Sequence, residues 1–220
     1  MKKLIVAIDG PSGAGKGTVS RTVAASLGYR HIDTGAMYRA VGWKAARERI
    51  PFDDEAHIAE LARQAEIVVE GGIVKIDGHE ITREIRTPEI DKAASAVARL
   101  PKVRESLVAR QREMGNEGGI VMEGRDIGTV VFPKADLKVY LDASADERAR
   151  RRLHDTAHTA SQAGQAAVAE SIAARDKADT TRTASPLAVA ADAVIIDTTG
   201  MPIGDVVARV LALARSKLAG

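Results

Sequence analysis

The 220-residue chain has no cysteine, which excludes disulfides, thiolate nucleophiles and cysteine-ligated zinc. Aromatic side chains make up only 3%: one Trp, three Tyr and two Phe. A surface that stacks single-stranded bases needs more of them, and the core has to be built from Val, Ile, Leu and Ala. An excess of one charge sign is also missing. The 32 Lys and Arg stand against 30 Asp and Glu, a net +2, which gives no field for holding a nucleic-acid backbone. Long apolar runs are absent as well. The first, at residues 4–8, stops at Asp9, too short for a signal-peptide core. Nothing approaches the roughly 18 residues of a membrane span. The expectation is a cytoplasmic protein with no membrane or nucleic-acid partner, a monomer by default at this size. Its 45% hydrophobic and 28% charged residues fit one globular domain over residues 1–220.

What is present is a pattern of alternation. Residues 4–8 read as a strand buried on both faces, followed by a glycine-rich turn and a helix from about Lys16 to Leu27. Residues 119–122, 137–141 and 193–196 repeat the buried-strand signature, with helix-like sequence between them. The fold class expected is α/β, a doubly wound parallel sheet. Residues 66–82 differ. Two short alternating runs with Gly71-Gly72 and Asp77-Gly78 turns predict a small antiparallel β subdomain, inserted at about residues 63–86. Thr87-Pro88-Glu89 reads as cap, first position and acidic first turn of the next helix, and Pro101 starts another. Residues 153–169 have few large apolar side chains and read as a mobile, exposed segment between two helices.

The most specific local signal is Gly10-Pro11-Ser12-Gly13-Ala14-Gly15-Lys16-Gly17-Thr18. It follows a buried strand and opens a helix, the context a phosphate-binding loop (P-loop) requires. Glycines let successive backbone N–H groups turn inward on phosphate oxygens. The helix N-terminus adds partial positive charge, and Lys16 can reach the outer phosphates. Gly17 stands where the general pattern has a Ser or Thr ligand for magnesium, and Thr18 comes one place later, so the usual side-chain ligand is absent or displaced and no direct protein ligand to the ion is expected. The Gly-Lys-Gly-Thr form is shared with nucleoside-monophosphate kinases.

Other clusters have two readings each. Thr34 is a natural helix cap with Arg39 one turn on: a phosphate site, or a capped helix with a solvated arginine. Arg125 and Asp126 follow a strand end, so they face the cleft or form a plain ion pair. Glu123 ends the same strand, where phosphate-loop enzymes often place an acid that holds magnesium through water. Arg175, Asp179 and Arg182 fall on one helix face, which also suits a surface salt-bridge ladder. Arg148, Arg150, Arg151 and Arg152 form either a basic solvated face or part of a closing lid at about residues 148–168 that includes Arg148, Arg151 and Arg152; some of the four would neutralise the transferring phosphoryl group, and the sequence does not single out which. Of the histidines His31, His57, His79, His154 and His158, only His154 and His158 stand at ligand spacing, i and i+4, with no acid in zinc-protease register, so all five read as structural or exposed.

Taken together, the phosphate loop, Asp33-Thr34-Gly35-Ala36-Met37-Tyr38-Arg39, Glu84-Ile85-Arg86-Thr87-Pro88, the run from Gly124-Arg125-Asp126 to Phe132-Pro133, and Arg175-Asp176 with Asp179 and Arg182 resemble the bacterial cytidylate kinases over nearly the whole chain. The resemblance implies ATP and CMP or dCMP as substrates, with Mg²⁺ bound alongside ATP. It implies catalytic roles for Lys16, Arg39 and Arg125. It places Arg175 and Asp179 at the ribose, and Ser95, Arg104, Asp126 and Arg182 at the cytosine. A different acceptor such as UMP, or a non-catalytic ATP-binding switch, are the alternatives.

Overall fold

The computed structural model describes residues 3–155 and 164–219. His158 and residues 156–163 of the expected 148–168 lid lie outside the described residues.

The continuous apolar run at the start becomes β1 (Ile5–Asp9), the central strand of a five-stranded parallel sheet. Its neighbours are β6 (Ile120–Gly124) and β7 (Leu137–Asp142), and β2 (Arg30–Asp33) and β8 (Val194–Asp197) form the edges, giving the order β2-β6-β1-β7-β8. A strand paired on both sides and covered on both faces has no use for alternation, which explains the unbroken Ile-Val-Ala-Ile. On one face α1 (Lys16–Leu27) and α8 (Ile203–Ala219) bury Val19, Val23, Val206 and Val210 against Val6, Ile8 and Val139. On the other, α5 (Pro101–Gly115) packs Val108 near Ala7, Ile32, Ile120 and Met122. The expected doubly wound α/β sheet is therefore present.

The antiparallel element is also present. Strands β3 (Ile67–Glu70), β4 (Ile73–Ile76) and β5 (His79–Glu80) form a separate meander. Its turns carry positive φ at Gly71, Gly72, Asp77 and Gly78, as two-residue hairpins demand. One face of the meander buries Ile67, Val69, Val74 and Ile76 against α2 (Thr34–Arg47) and α3 (Glu55–Gln64). Thr87 accepts from Ile90 N–H and Pro88 opens α4 (Pro88–Val97), as read from sequence. Gly42 lets α2 and α4 come together: a Cβ there would stand 3.0 Å from Ala93 C and Ala94 N. The remaining helices are α6 (Ala145–Leu153), α7 (Gln165–Thr181) and a single π-turn at Ile127–Val131. The segment expected as loop at 153–169 is thus helical from Gln165 on.

No helix among the described residues is long and apolar enough to cross a membrane. Strand register brings Asp9 level with Gly124 and Tyr140, and Asp33 level with Glu123. The carboxyl ends of β1, β2, β6 and β7 therefore form one rim, the place where open α/β sheets bind ligands.

Gly10 is where the chain leaves that rim. Its φ is 152°, and a Cβ would fall 2.0 Å from the Leu141 carbonyl oxygen, inside the backbone of β7. Gly10→Ala should therefore cost roughly 2–3 kcal/mol from strain and overpacking. The thermal midpoint should fall by about 4–12 °C in a melting experiment, whereas Gly204→Ala, which meets nothing within 4 Å, should leave it near wild type.

Candidate active site

The phosphate loop is held open by its own geometry. Gly15 caps α1 in a left-handed conformation with φ 90° and without any side-chain cap, so the first N–H groups of α1 are left for a ligand. Lys16 is buried at 6% exposure, and its Nζ donates to the Pro11 carbonyl at 2.6 Å across the mouth of the loop. Burial drives its pKa well below that of a free lysine, and the Arg125 cation pushes the same way.

Three arginines of α6 brace this loop. Arg148 donates to Ser12 O at 3.0 Å, Arg151 to Ala14 O at 3.4 Å and Arg152 to Ser12 Oγ at 3.2 Å. Arg150 turns outward onto Glu147. Of the four basic residues read from the sequence, Arg148, Arg151 and Arg152 thus converge on the loop. Asp176 completes the brace, accepting from Ser12 N–H at 3.0 Å and from Arg148.

Beyond the loop, a partly open cavity of about 40 Å³ is lined by Thr34, Tyr38, Ser95, Arg104, Arg125, Asp126, Arg175, Asp179 and Arg182. Every substrate-binding residue expected from the sequence except Arg39 lines it. Arg39 is buried just behind, reaching back toward Gly35 at the head of α2, and its Nε donates to Asp91 at 3.0 Å.

Two expectations need correction. The cap of α2 is Asp33, whose Oδ1 accepts from Ala36 N–H at 3.0 Å; Thr34 is the first helical residue and donates instead to the Glu123 carbonyl at 2.7 Å. The carboxylate is already level with the strand end and takes the cap, which frees the hydroxyl to tie α2 to β6. Arg182 does not share a helical face with Arg175 and Asp179. It is the residue after α7, with extended backbone at φ −64° and ψ 141°, and that turn swings it inward to 8% exposure.

The cavity has two ends. At one, Arg104 pairs with Asp126, Arg182 stands 3.8 Å from the other Asp126 oxygen, and the Arg104 guanidinium lies 5.3 Å over the Tyr38 ring. At the other, Arg125 donates to Asp179 at 2.9 Å and Arg175 to Asp91 at 3.0 Å. The buried Arg104 Nε, Arg175 Nε and Arg182 Nη2 have no hydrogen-bond partner among the described residues. Unsatisfied buried donors are costly, and a polar, anionic ligand in the cavity would satisfy them. Burial pushes the Arg175 pKa down to about 10, with Arg39 and Arg125 adding to it. Cations crowded this way bind an anion readily.

The match to known proteins agrees with this geometry. Residues 6–216 match the family described as Cytidylate kinase. The chain belongs to the cytidylate kinase family. It is 46% identical over 220 residues to a cytidylate kinase of Desulfitobacterium hafniense, covering 99% of this chain and 95% of that one. It is 49% identical over 212 residues to a cytidylate kinase of Pelotomaculum thermopropionicum, covering 94% of each. Among solved structures, a gluconokinase from Sinorhizobium meliloti superposes with a TM-score of 0.53 at 17% identity, covering 99% of this chain and 95% of that one. A shikimate kinase from Acinetobacter baumannii gives 0.52 at 15%, covering 98% and 94%. These last two bear on the fold alone.

Several residues of this cytidylate kinase family site escaped the sequence reading. Asp91, in the first turn of α4, gathers Arg39 and Arg175 at 3.0 Å and Arg152 at 3.8 Å. An acidic first turn is an ordinary helix feature, so nothing in the sequence singles it out. Asp9 was legible only as the residue that ends the first strand. Its two oxygens accept from Ile127 N–H at 2.8 Å and Gly128 N–H at 2.7 Å, which hold the turn just past Arg125 and Asp126.

Burial pushes the Asp9 pKa up to about 6, outweighing the two backbone hydrogen bonds that act downward. The folded value therefore lies above the unfolded one, so the native state binds this proton more tightly, and the stability it contributes at low pH is lost as pH rises through about 6. Between pH 5 and 7.5 that loss amounts to about 1–2 kcal/mol. Urea unfolding of wild type and Asp9→Asn at both pH values should show the gap between them shifting by that amount in favour of Asn at pH 7.5. An unshifted gap would mean that Asp9 is ionised in both states throughout.

Proposed function

We propose that the protein transfers the γ-phosphoryl group of ATP to CMP or dCMP, giving CDP or dCDP and ADP. The observation that carries this reading is the cavity described above. It sets a carboxylate–guanidinium group, Asp126 with Arg104 and Arg182, at one end, and buried cations at the other, next to the phosphate loop. ATP phosphates belong on residues 10–18 and the monophosphate in the cavity.

The transfer needs little covalent help. The attacking group is a phosphate oxygen whose last proton leaves near pH 6, so it is already a nucleophile at pH 7 and no general base is required. What the two anions need is neutralisation and alignment. Lys16 and the uncapped head of α1 face the ATP phosphates. Arg125 lines the cavity and Arg39 is buried just behind it, held by Asp179 and Asp91 respectively. Arg175 and Asp179 are the ribose contacts, and Ser95, Arg104, Asp126 and Arg182 the base contacts. Every group invoked belongs to one chain, so a monomer suffices.

Mg²⁺ fits this site as an ion that arrives with ATP. No group of three or more His, Asp or Glu side chains that could hold a metal ion is present among the described residues, and Gly17 lacks a hydroxyl. Such an ion keeps most of its waters, and Glu123 at the end of β6 is the side chain placed to accept from them. When bound, it would supply charge neutralisation between the β- and γ-phosphates.

Ionised Asp126 only accepts hydrogen bonds. Cytosine offers it an amino donor at N4, whereas uracil offers a carbonyl. A site built around that donor leaves its own polar groups unpaired when uracil enters. This disfavours UMP as acceptor, and a second polar pocket lined by buried arginines disfavours a mere ATP-binding switch.

ATP consumption with CMP, dCMP, UMP, AMP and GMP should proceed with the first two and be far slower with the rest. Consumption without any monophosphate would return the switch. Asp126→Asn, whose amide can donate to O4 of uracil, should narrow the CMP/UMP ratio of kcat/KM by at least about tenfold, within the 5- to 150-fold that one such contact supplies. An unchanged ratio would remove Asp126 from base recognition.

A further inference from the structure

His31 sits on edge strand β2, two residues before the α2 cap, with its side chain at 13% exposure. Its Nε2 lies 2.9 Å from Glu123 Oε1 and 3.2 Å from Ser20 Oγ. The Ser20 proton is committed elsewhere, because Oγ donates to the Lys16 carbonyl at 2.5 Å. Both oxygens facing Nε2 are thus acceptors, and the hydrogen-bond network assigns the imidazole proton to Nε2. The ring bridges the first turns of the phosphate-loop helix and the acid at the end of β6.

That acid occupies a particular place. A Cβ built on Gly17 would stand 3.5 Å from Glu123 Oε1 and 3.8 Å from Oε2. The carboxylate therefore lies against the one position of the loop where the general pattern has a metal-binding hydroxyl and this chain has none. Glu123 is 6% exposed and within electrostatic reach of both Lys16 and Arg39. A glutamate with three rotatable bonds, free to choose, would turn onto one of those cations. It would then quench a charge meant for phosphate and leave the metal's waters unclaimed.

We propose that His31 is a positioning residue for the metal ion of ATP. Its Nε2–H holds one oxygen of Glu123 beside Gly17, so that the carboxylate accepts from the ion's water ligands rather than pairing with Lys16 or Arg39. His31 acts through Glu123 and does not ligate the ion, since its Nε2 is protonated and taken. The proposal rests on the phosphoryl-transfer reading. It also accounts for a departure within the loop: the restraint that a loop hydroxyl would place on the ion comes instead from a held carboxylate in the next strand. Imidazole-held ligands of this kind are worth about 10- to 100-fold in metal affinity where they have been removed.

The test uses His31→Leu, which fills the space without a donor, and His31→Gln, whose amide N–H reaches about as far as Nε2. Should the leucine variant not fold, His31→Asn, too short to reach Glu123, takes its place. Mn²⁺ affinity of the enzyme–ATP-analogue complex is read by electron paramagnetic resonance titration, and the Mg²⁺ dependence of CMP turnover is measured alongside. The expected result is a loss of about tenfold or more in Mn²⁺ affinity for Leu or Asn, a matching rise in the Mg²⁺ needed for half-maximal rate, little change in kcat at saturating Mg²⁺, and recovery of most of the loss in Gln. Unchanged Mn²⁺ affinity without the donor would overturn the proposal, as would equal losses in Leu and Gln, which would make the ring a packing element. A wild-type protein that binds Mn²⁺ and nucleotide but shows no CMP-dependent turnover would instead remove the phosphoryl-transfer reading and leave the role of His31 to be decided by the titration.

Discussion

Everything at this rim depends on the Asp9 carboxylate. It ends the central strand and is the last side chain before the phosphate loop. Both of its oxygens are bonded to the backbone of Ile127 and Gly128. One residue thus fixes the distance between the loop that would take ATP phosphates and the turn that carries Arg125 and Asp126. The hydrogen bonds go to backbone rather than to a cation, so burial wins and the proton is held unusually tightly. The cost of that burial is borne at the joint between two ligand sites, where relative position matters most for a reaction between two bound anions.

Around that joint the arginines are arranged as borrowed pairs. Asp91 holds Arg39 and Arg175, Asp179 holds Arg125, Asp126 holds Arg104, and Asp176 holds Arg148. A cluster of buried guanidiniums without these carboxylates would be strongly self-repulsive, and removing one partner of a buried pair is more damaging than never having made it. The pairs also leave each guanidinium with donors to spare, since Arg carries five N–H groups and one carboxylate engages at most two of them side by side. Phosphate and ribose oxygens can therefore be bound by the remaining N–H groups with the ion pairs intact. The site is pre-assembled, and binding does not have to find its cations first.

The parts legible in the sequence were those with local signatures. The glycine loop between an apolar run and a helix, the two-residue turns of the meander, and Thr87-Pro88 at the start of α4 each follow from backbone chemistry within a few residues. The cavity lining was legible mainly through resemblance to a family, because Ser95, Arg104 and Arg182 meet only in three dimensions. What stayed hidden were single carboxylates and one histidine. Asp91 looks like any acid in a helical first turn, and Asp9 like any strand terminator. His31 looks like a lone polar residue on an edge strand, and its partner Glu123 is 92 residues away. Arg182 was misplaced because the 3.6-residue period was extended one residue past the helix, and helix ends are where periodicity stops constraining direction.

The state of Lys16 ties these threads together. Its ammonium is buried, lies beside the Arg125 cation, and is bonded to the Pro11 carbonyl, a neutral acceptor. Burial and the Arg125 cation disfavour its charge, outweighing the pull of Glu123 and Asp9. A polyphosphate in the loop reverses the balance, because it brings several negative charges to the same spot and displaces a single carbonyl oxygen. By reciprocity, whatever anionic charge stabilises the protonated lysine is itself stabilised by it to the same extent. Glu123 could satisfy Lys16 in the same way but at the wrong place. If it did, the lysine would be neutralised before any phosphate arrived, and the gain on binding would be lost. A carboxylate restrained from the far side by an imidazole N–H keeps Lys16 unsatisfied until the ligand is present, and the loop then spends its charge on phosphate.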